Sequence, residues 1–273
     1  MLRQATKLVM KIDYHIHTPL CKHAEGPMEA YVQRAIALGF SEISFLDHLT
    51  IRDVDPGLSM TPEEVPSYFE AVQRLKHRYQ EAIEVKAGLE IDFDTQHADR
   101  MQRIIEAHAF DVIGCSLHYL DHFDIVTSGS AWRNGEGDPD QVCRQYFGQL
   151  EKILDYPFFD MLCHFDLFKK FNRIPREPYD ELLDSVLRKV KKRNLAVEVN
   201  TSGLEHPVGE PYPSLKILKR CRALDIPVTV GSDSHAPRHI GRHFDKAGEL
   251  LFEAGYDRLT TFSNRAKKSV PIV

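Results

Sequence analysis

The chain has 273 residues, of which 42% are apolar and 27% charged, with a formal net charge of -5. That composition supports a sizeable buried core and excludes an intrinsically disordered chain. The net negative charge gives no electrostatic footprint for nucleic acid, and no run reaches the ~20 apolar residues of a membrane span, so neither partner is expected. Five cysteines occur without a C-x-x-C pair, and Cys115 and Cys163 lie inside apolar runs. This pattern argues against a disulfide framework and for a reducing compartment. The first ten residues lack the apolar stretch of a secretion signal, and the expected location is the cytoplasm.

The first predicted strand, about 8–17, ends in Asp13-Tyr14-His15-Ile16-His17. Alternate strand side chains share a face, so Asp13, His15 and His17 point one way. Two imidazoles on one face beside a carboxylate suit a divalent metal. A loop with Cys21 and His23 follows, and Pro27 opens an amphipathic helix that Gly39 stops. The second strand, 42–46, ends in Asp47-His48. A helix over 61–82 follows, with Pro66 required to fall in its first turn. The third strand, 85–93, carries Glu90, and a helix spans 95–108. The fourth strand, 111–117, ends at His118. The polar segment 120–138, with Trp132, reads as a lid or substrate loop, since long loops in compact domains are usually functional.

Helix 139–154 leads to a fifth strand, 159–163, which delivers His164 and then Asp166. Helix 177–193 and a sixth strand, 195–200, come next. A Pro-rich loop then enters helix 214–224. The seventh strand, 227–231, is followed by Ser232-Asp233-Ser234-His235, and the last helix spans 240–254. The tail past about Tyr256 carries no readable pattern. Strand–helix units in series predict a mostly parallel sheet with helical crossovers. An open sheet would string the chemically loaded strand ends along a line. Closure into a barrel gathers them at one rim, where barrel active sites lie. The expectation is one α/β domain over 1–273, its core at about 8–255.

At the strand ends or in the loops just after them stand His15, His17, His23, His48, Glu90, His118, His164, Asp233 and His235. This set resembles the polymerase and histidinol phosphatase (PHP) family. That family's pattern is His-x-His at the first strand, a His in the next loop, and Asp-His at the second strand. A Glu, two single His and a final Asp-x-His complete it. The resemblance runs from about residue 11 to 240. It implies a distorted seven-stranded (β/α)7 barrel like a TIM barrel and a site for up to three divalent metals: zinc, iron or manganese. Carried over, the first metal takes His15, His17, Glu90 and Asp233. The second takes Glu90, His118 and His164, and the third takes His23, His48 and His235. Divalent ions neutralise a phosphate monoester and acidify water. The implied reaction is attack by a metal-bridging hydroxide, with Glu90, Asp233 and His235 as candidate catalytic residues and Asp233 or a site histidine relaying a proton.

The loops Asn200-Thr201-Ser202-Gly203 and Gly209-Glu210-Pro211-Tyr212-Pro213-Ser214 resemble the histidinol-phosphatase branch. The implied substrate is the small phosphorylated compound L-histidinol phosphate, placing the chain in histidine biosynthesis. Gly and Pro also simply shape a tight loop, and both readings stand at this point. Phosphate calls for cationic donors, and Arg suits that role. Arg238 is the first candidate, with Arg133 and Arg52 behind it, and Glu210 or Asp166 is positioned in sequence to meet the substrate's cationic end. Competing readings are a PHP phosphoesterase for a nucleotide, an oligonucleotide end or phosphotyrosine, an amidohydrolase-like C–N hydrolase, and a non-catalytic metal scaffold. The oligomeric state is not encoded in any pattern here.

Overall fold

Apolar runs punctuated by Gly, Pro and capping residues produce the predicted alternation. A computed structural model describes residues 10–51 and 57–272. The barrel strands are β1 (Ile12–Ile16), β2 (Glu42–Thr50), β3 (Glu84–Asp92) and β4 (Val112–Ser116), then β7 (Met161–Leu162), β8 (Ala196–Asn200) and β9 (Val228–Gly231). A small hairpin of β5 (Tyr119–Leu120) and β6 (Phe123–Asp124) intervenes, and the chain finishes in a second hairpin, β10 (Arg258–Ser263) and β11 (Ala266–Pro271). The helices are α1 (Met28–Ala37), α2 (Val65–Tyr79), α3 (Ala98–Glu106), α4 (Pro139–Ile153), α5 (Asp180–Lys192), α6 (Leu215–Ala223) and α7 (Phe244–Ala254).

The seven barrel strands lie in the order β1-β2-β3-β4-β7-β8-β9, every pair parallel. The two outer strands meet through a single bridge, Ile16 to Ser234. His17 N donates to Ser234 O at 2.9 Å and Ser234 N to His15 O at 3.0 Å. The sheet is thus a nearly closed, distorted barrel, and the expected closure and strand count hold. Its interior is filled. A Cβ at Gly114 would lie 2.6 Å from Cys163 Sγ, so only glycine fits there.

Local chemistry explains the altered boundaries. Pro66 does fall in the first turn of α2, where its missing N–H costs nothing. The expected helix over 95–108 begins as a 3-10 turn, Thr95–His97, capped by Asp94 accepting from Gln96 N. The fifth barrel strand shrinks to two residues because His164 turns the chain away at φ +30°. Asp138 caps α4, whose first residue is a proline. In α5, acids sit in the first turn and lysines in the last, matching the helix dipole. Among the described residues no helix is long and apolar enough to cross a membrane.

The tail is structured, so the core extends past residue 255. The β10–β11 hairpin packs across the N-terminal ends of the strands. Phe262 N donates to Tyr14 Oη at 2.6 Å and Asn264 N to Asp111 Oδ1 at 3.1 Å. Arg265 pairs with the Asp160 carboxylate and the Phe158 carbonyl. The segment 120–138 is also pinned. Trp132 is fully buried and its indole N–H donates to Phe168 O at 2.9 Å. Arg173 stacks on that indole at 3.9 Å and bonds the Trp132, Glu136 and Gly137 carbonyls. Of the two expectations, lid or substrate loop, the lid gives way to an anchored segment that contributes Val126 and Thr127 to the cavity described below.

Candidate metal centre

The histidines at the C-terminal strand ends are held from behind. His15 Nδ1 donates to Glu198 Oε1 at 2.7 Å, and His17 Nδ1 lies 3.3 Å from Asp47 Oδ1. His23 Nδ1 lies 2.7 Å from Cys21 O, and His235 Nδ1 lies 3.1 Å from Asp233 O. A carbonyl oxygen only accepts, so both of these Nδ1 atoms carry a proton and both Nε2 atoms of the neutral rings present lone pairs. Those two Nε2 atoms face each other at 2.9 Å. His17 stacks between His48 and His235, with ring centroids 4.2 and 4.0 Å away.

Glu90 is at the centre. Its Oε2 lies 2.8 Å from His48 Nδ1 and 3.3 Å from His15 Nε2; its Oε1 lies 2.7 Å from His164 Nε2 and 3.5 Å from His118 Nε2. Asp233 Oδ1 sits 3.1 Å from His17 Nε2. The expected nine residues therefore converge, although they come from six different parts of the sheet. The partition is less tidy than expected: His17 groups with His48 and His235 as well as with His15 and Asp233. Asp13 stays out of the cluster. Its carboxylate accepts from Ser232 N at 2.9 Å and Gly241 N at 3.1 Å, stapling β1 to the loop after β9.

Burial opposes charge throughout. On Glu90 the neighbouring His48 and His15 overcome it and hold the carboxyl well below its usual range. Asp233 is likewise held low, with His15 and His17 outweighing burial. His17 rises to about 9 because hydrogen bonds to Asp233 and Asp47 outweigh its burial. Burial, then His48, pushes His23 down to about 4, and burial drives His118 and His235 well below the ordinary imidazole value.

These residues fit divalent ions. The facing lone pairs of His23 and His235 need a cation between them, and at neutral pH their lowered pKa values leave no proton to supply it. His15 Nε2 and Glu90 Oε2 are buried 3.3 Å apart and, although His48 Nδ1 lies 2.8 Å from that oxygen, neither atom makes a well-directed hydrogen bond among the described residues. Imidazole and carboxylate donors suit zinc, iron or manganese.

A cavity of about 310 Å³ opens onto the cluster, lined by His23, His48, His118, His164, Asp233 and His235 and by Leu58, Tyr119, Val126, Thr127, Lys170, Ser202 and His206 among others. None of the expected substrate residues that lie among the described residues is among these. Arg238 is exposed and bonds Glu25 at 2.8 Å, which draws it away. Glu210 bonds Lys169 at 2.7 Å, and buried Asp166 bonds the same ammonium at 2.8 Å. Arg133 bonds Ser128 O at 3.1 Å and lies over Phe171. Arg52 lies outside the described residues.

Two groups escaped sequence reading. Lys170 faces the cavity; burial lowers its pKa, and no carboxylate is within ion-pair distance of it among the described residues. Nothing local separates it from Lys169, whose charge is spent on Asp166 and Glu210. Glu198 did leave a signal. In β8 the polar residues 198 and 200 alternate with buried valines, a period of two that aims them into the barrel.

Comparison with known proteins agrees with this architecture. Residues 13–202 match the family described as PHP domain. A Deinococcus radiodurans protein named "Probable histidinol-phosphatase" is 31% identical, over 93% of this chain and 96% of its own length. The histidinol-phosphatase of Lactococcus lactis is 26% identical over 95% of this chain and 98% of its own. A crystal structure of the Lactococcus lactis histidinol phosphate phosphatase with zinc, L-histidinol and phosphate shares the fold, with a TM-score of 0.80 at 24% identity, covering 94% of this chain and 98% of that one. With its His-x-His strand, central glutamate and final Asp-x-His set in a distorted seven-stranded barrel, and with the match covering most of its length, this chain belongs to the PHP domain family.

Proposed function

We propose that this protein is a metal-dependent phosphomonoesterase that hydrolyses L-histidinol phosphate to L-histidinol and phosphate. The observation that carries the reading is a cavity with two complementary features. One is a cluster of lone pairs and carboxylates short of positive charge; the other is Lys170, whose ammonium lies over the Phe171 ring and makes no close ion pair with a carboxylate among the described residues. A phosphate monoester with its ions fills both needs. The relatives' names support the choice of ester.

On this reading His15, His17, Glu90 and Asp233 would hold one ion, Glu90 with His118 and His164 would hold a second, and His23, His48 and His235 would hold a third. When bound, such ions neutralise the ester's charge, acidify the attacking water and steady the leaving oxygen. The chain's own residues do the rest. Lys170 binds a non-bridging phosphate oxygen by a charge-assisted hydrogen bond. His206, whose imidazole burial pushes down to about 4, stands neutral beside it as a further donor or acceptor. Leu58, Tyr119 and Val126 give the organic half of the ester an apolar surface. On this reading Asp233 or a site histidine takes the proton released by the attacking water.

The test is phosphate release from L-histidinol phosphate by metal-replete protein, run beside p-nitrophenyl phosphate and a nucleotide monophosphate, with Glu90→Gln as control. A strong preference for histidinol phosphate, lost in the control, is expected. Turnover of the generic ester alone would overturn the substrate, and no turnover with any divalent metal would overturn the reaction.

A further inference from the structure

Glu198 is fully buried in β8 and meets three parts of the cluster at once. Its Oε1 accepts from His15 Nδ1 at 2.7 Å. Its Oε2 accepts from the backbone N–H of His164 at 2.9 Å and from Asn200 Nδ2 at 3.1 Å. Asn200 Nδ2 also reaches Asp233 Oδ2 at 3.3 Å. One carboxylate thus ties together β1, the turn after β7 and the loop after β9. Space has been cleared for it: any Cβ at Gly231 would collide with Glu198 Oε1 and lie 2.5 Å from His15 Cβ. It also receives the N–H of His164, a non-glycine residue held at φ +30°.

We propose that Glu198 is a positioning residue that fixes His15 as an Nε2 ligand and so sets the affinity of the inner metal site. This rests on the metal-dependent reading above. The argument is one of donors and acceptors. A carboxylate accepts at both oxygens, so His15 must place its proton on Nδ1 and turn the Nε2 lone pair toward Glu90. Glutamine has only one accepting oxygen. The backbone N–H of His164 can only donate and claims that oxygen, which leaves the amide NH2 facing His15. His15 Nδ1 must then accept, the ring proton moves to Nε2, and the lone pair that would hold the metal is lost. Partners of this kind behind a metal-binding histidine typically affect metal affinity by about 10- to 100-fold.

The experiment compares wild type and Glu198→Gln by zinc titration against a competing chelator, by cadmium-113 resonances of the cadmium-loaded proteins, and by melting of the metal-free proteins. The expected result is a 10- to 100-fold weaker inner site, with the resonance of the ion between His23 and His235 unmoved and the metal-free melting point nearly unchanged. Equal affinities at every site would overturn the proposal. So would a uniform loss that follows a large drop in melting point, which marks a packing role only. Should the variant fail to fold, zinc-loaded wild type decides through its histidine ring nitrogens. His15 must carry a proton on Nδ1 and the metal on Nε2, and the reverse arrangement overturns the proposal. A wild type that binds no metal would instead sink the metal-dependent reading, and this inference with it.

Discussion

Lys170→Met is the most informative single change, because it should move activity and stability in opposite directions. The ammonium faces the cavity, burial lowers its pKa, and no carboxylate answers it among the described residues. A hydrogen bond from a charged donor is worth about 1.5–3 kcal/mol, which at about 1.4 kcal/mol per tenfold predicts a 10- to 150-fold fall in kcat/KM. The folded state, by contrast, disfavours the charge that methionine removes. The metal-free variant should melt at the same temperature or higher, each kcal/mol gained being worth about 2–4 °C. Steady-state kinetics with L-histidinol phosphate at saturating metal, together with thermal melts, supply both numbers. A kcat/KM within twofold of wild type would show that Lys170 does not hold phosphate. A melting point several degrees lower would show that the ammonium is satisfied in the fold.

Other outcomes follow from the same geometry. Lys170 loses its proton below its ordinary value, so its charge, and with it kcat/KM, should decline as pH rises toward that value. Lys170→Arg, which stays charged throughout, should flatten that alkaline limb, and an unchanged profile would refute the assignment. Removing metal with a chelator should lower the melting point, and zinc returned at 100 times its Kd should restore about 2.7 kcal/mol; no shift would argue against resident ions. Arg238→Ala should leave kcat/KM within twofold, because its guanidinium is held by Glu25 at the surface. Deleting 258–273 should lower the melting point sharply, since it removes the buried Leu259 and Phe262 from the core, each worth about 1.5–3 kcal/mol of burial, and the Arg265 pairing with Asp160. A stable truncated protein would show that the hairpin is dispensable.

The metal-ligand pattern was readable because strand ends in a parallel barrel converge, and an imidazole at each end needs no knowledge of contacts to be placed at one rim. What escaped were decisions made between neighbours. Lys169 and Lys170 are chemically alike, and only the position of Asp166 and Glu210 determines which one is free to face the cavity. Arg238 follows Asp233-x-His235 closely in sequence, but its guanidinium pairs with Glu25 at the surface. Trp132 sits in a segment whose glycines and aspartates suggest mobility, and Arg173, far along the chain, anchors it. The tail carries no alternating pattern because β10 buries four residues in a row, Leu259 to Phe262, while its partner β11 stays largely exposed, so neither shows the period of two that marks a half-buried strand.

The filled barrel interior has a consequence for traffic. With side chains packed beneath the histidines, the cavity has one door, the mouth above them, and everything must use it. On the proposed reading the ester enters phosphate first, toward the ions, and its organic half stays nearest the exit. After cleavage the alcohol stands between phosphate and solvent, so the alcohol leaves first and phosphate last. Phosphate then competes with the next ester for the empty enzyme. The packed interior beneath the site would thus be felt as product inhibition, competitive for phosphate and of a different pattern for the alcohol.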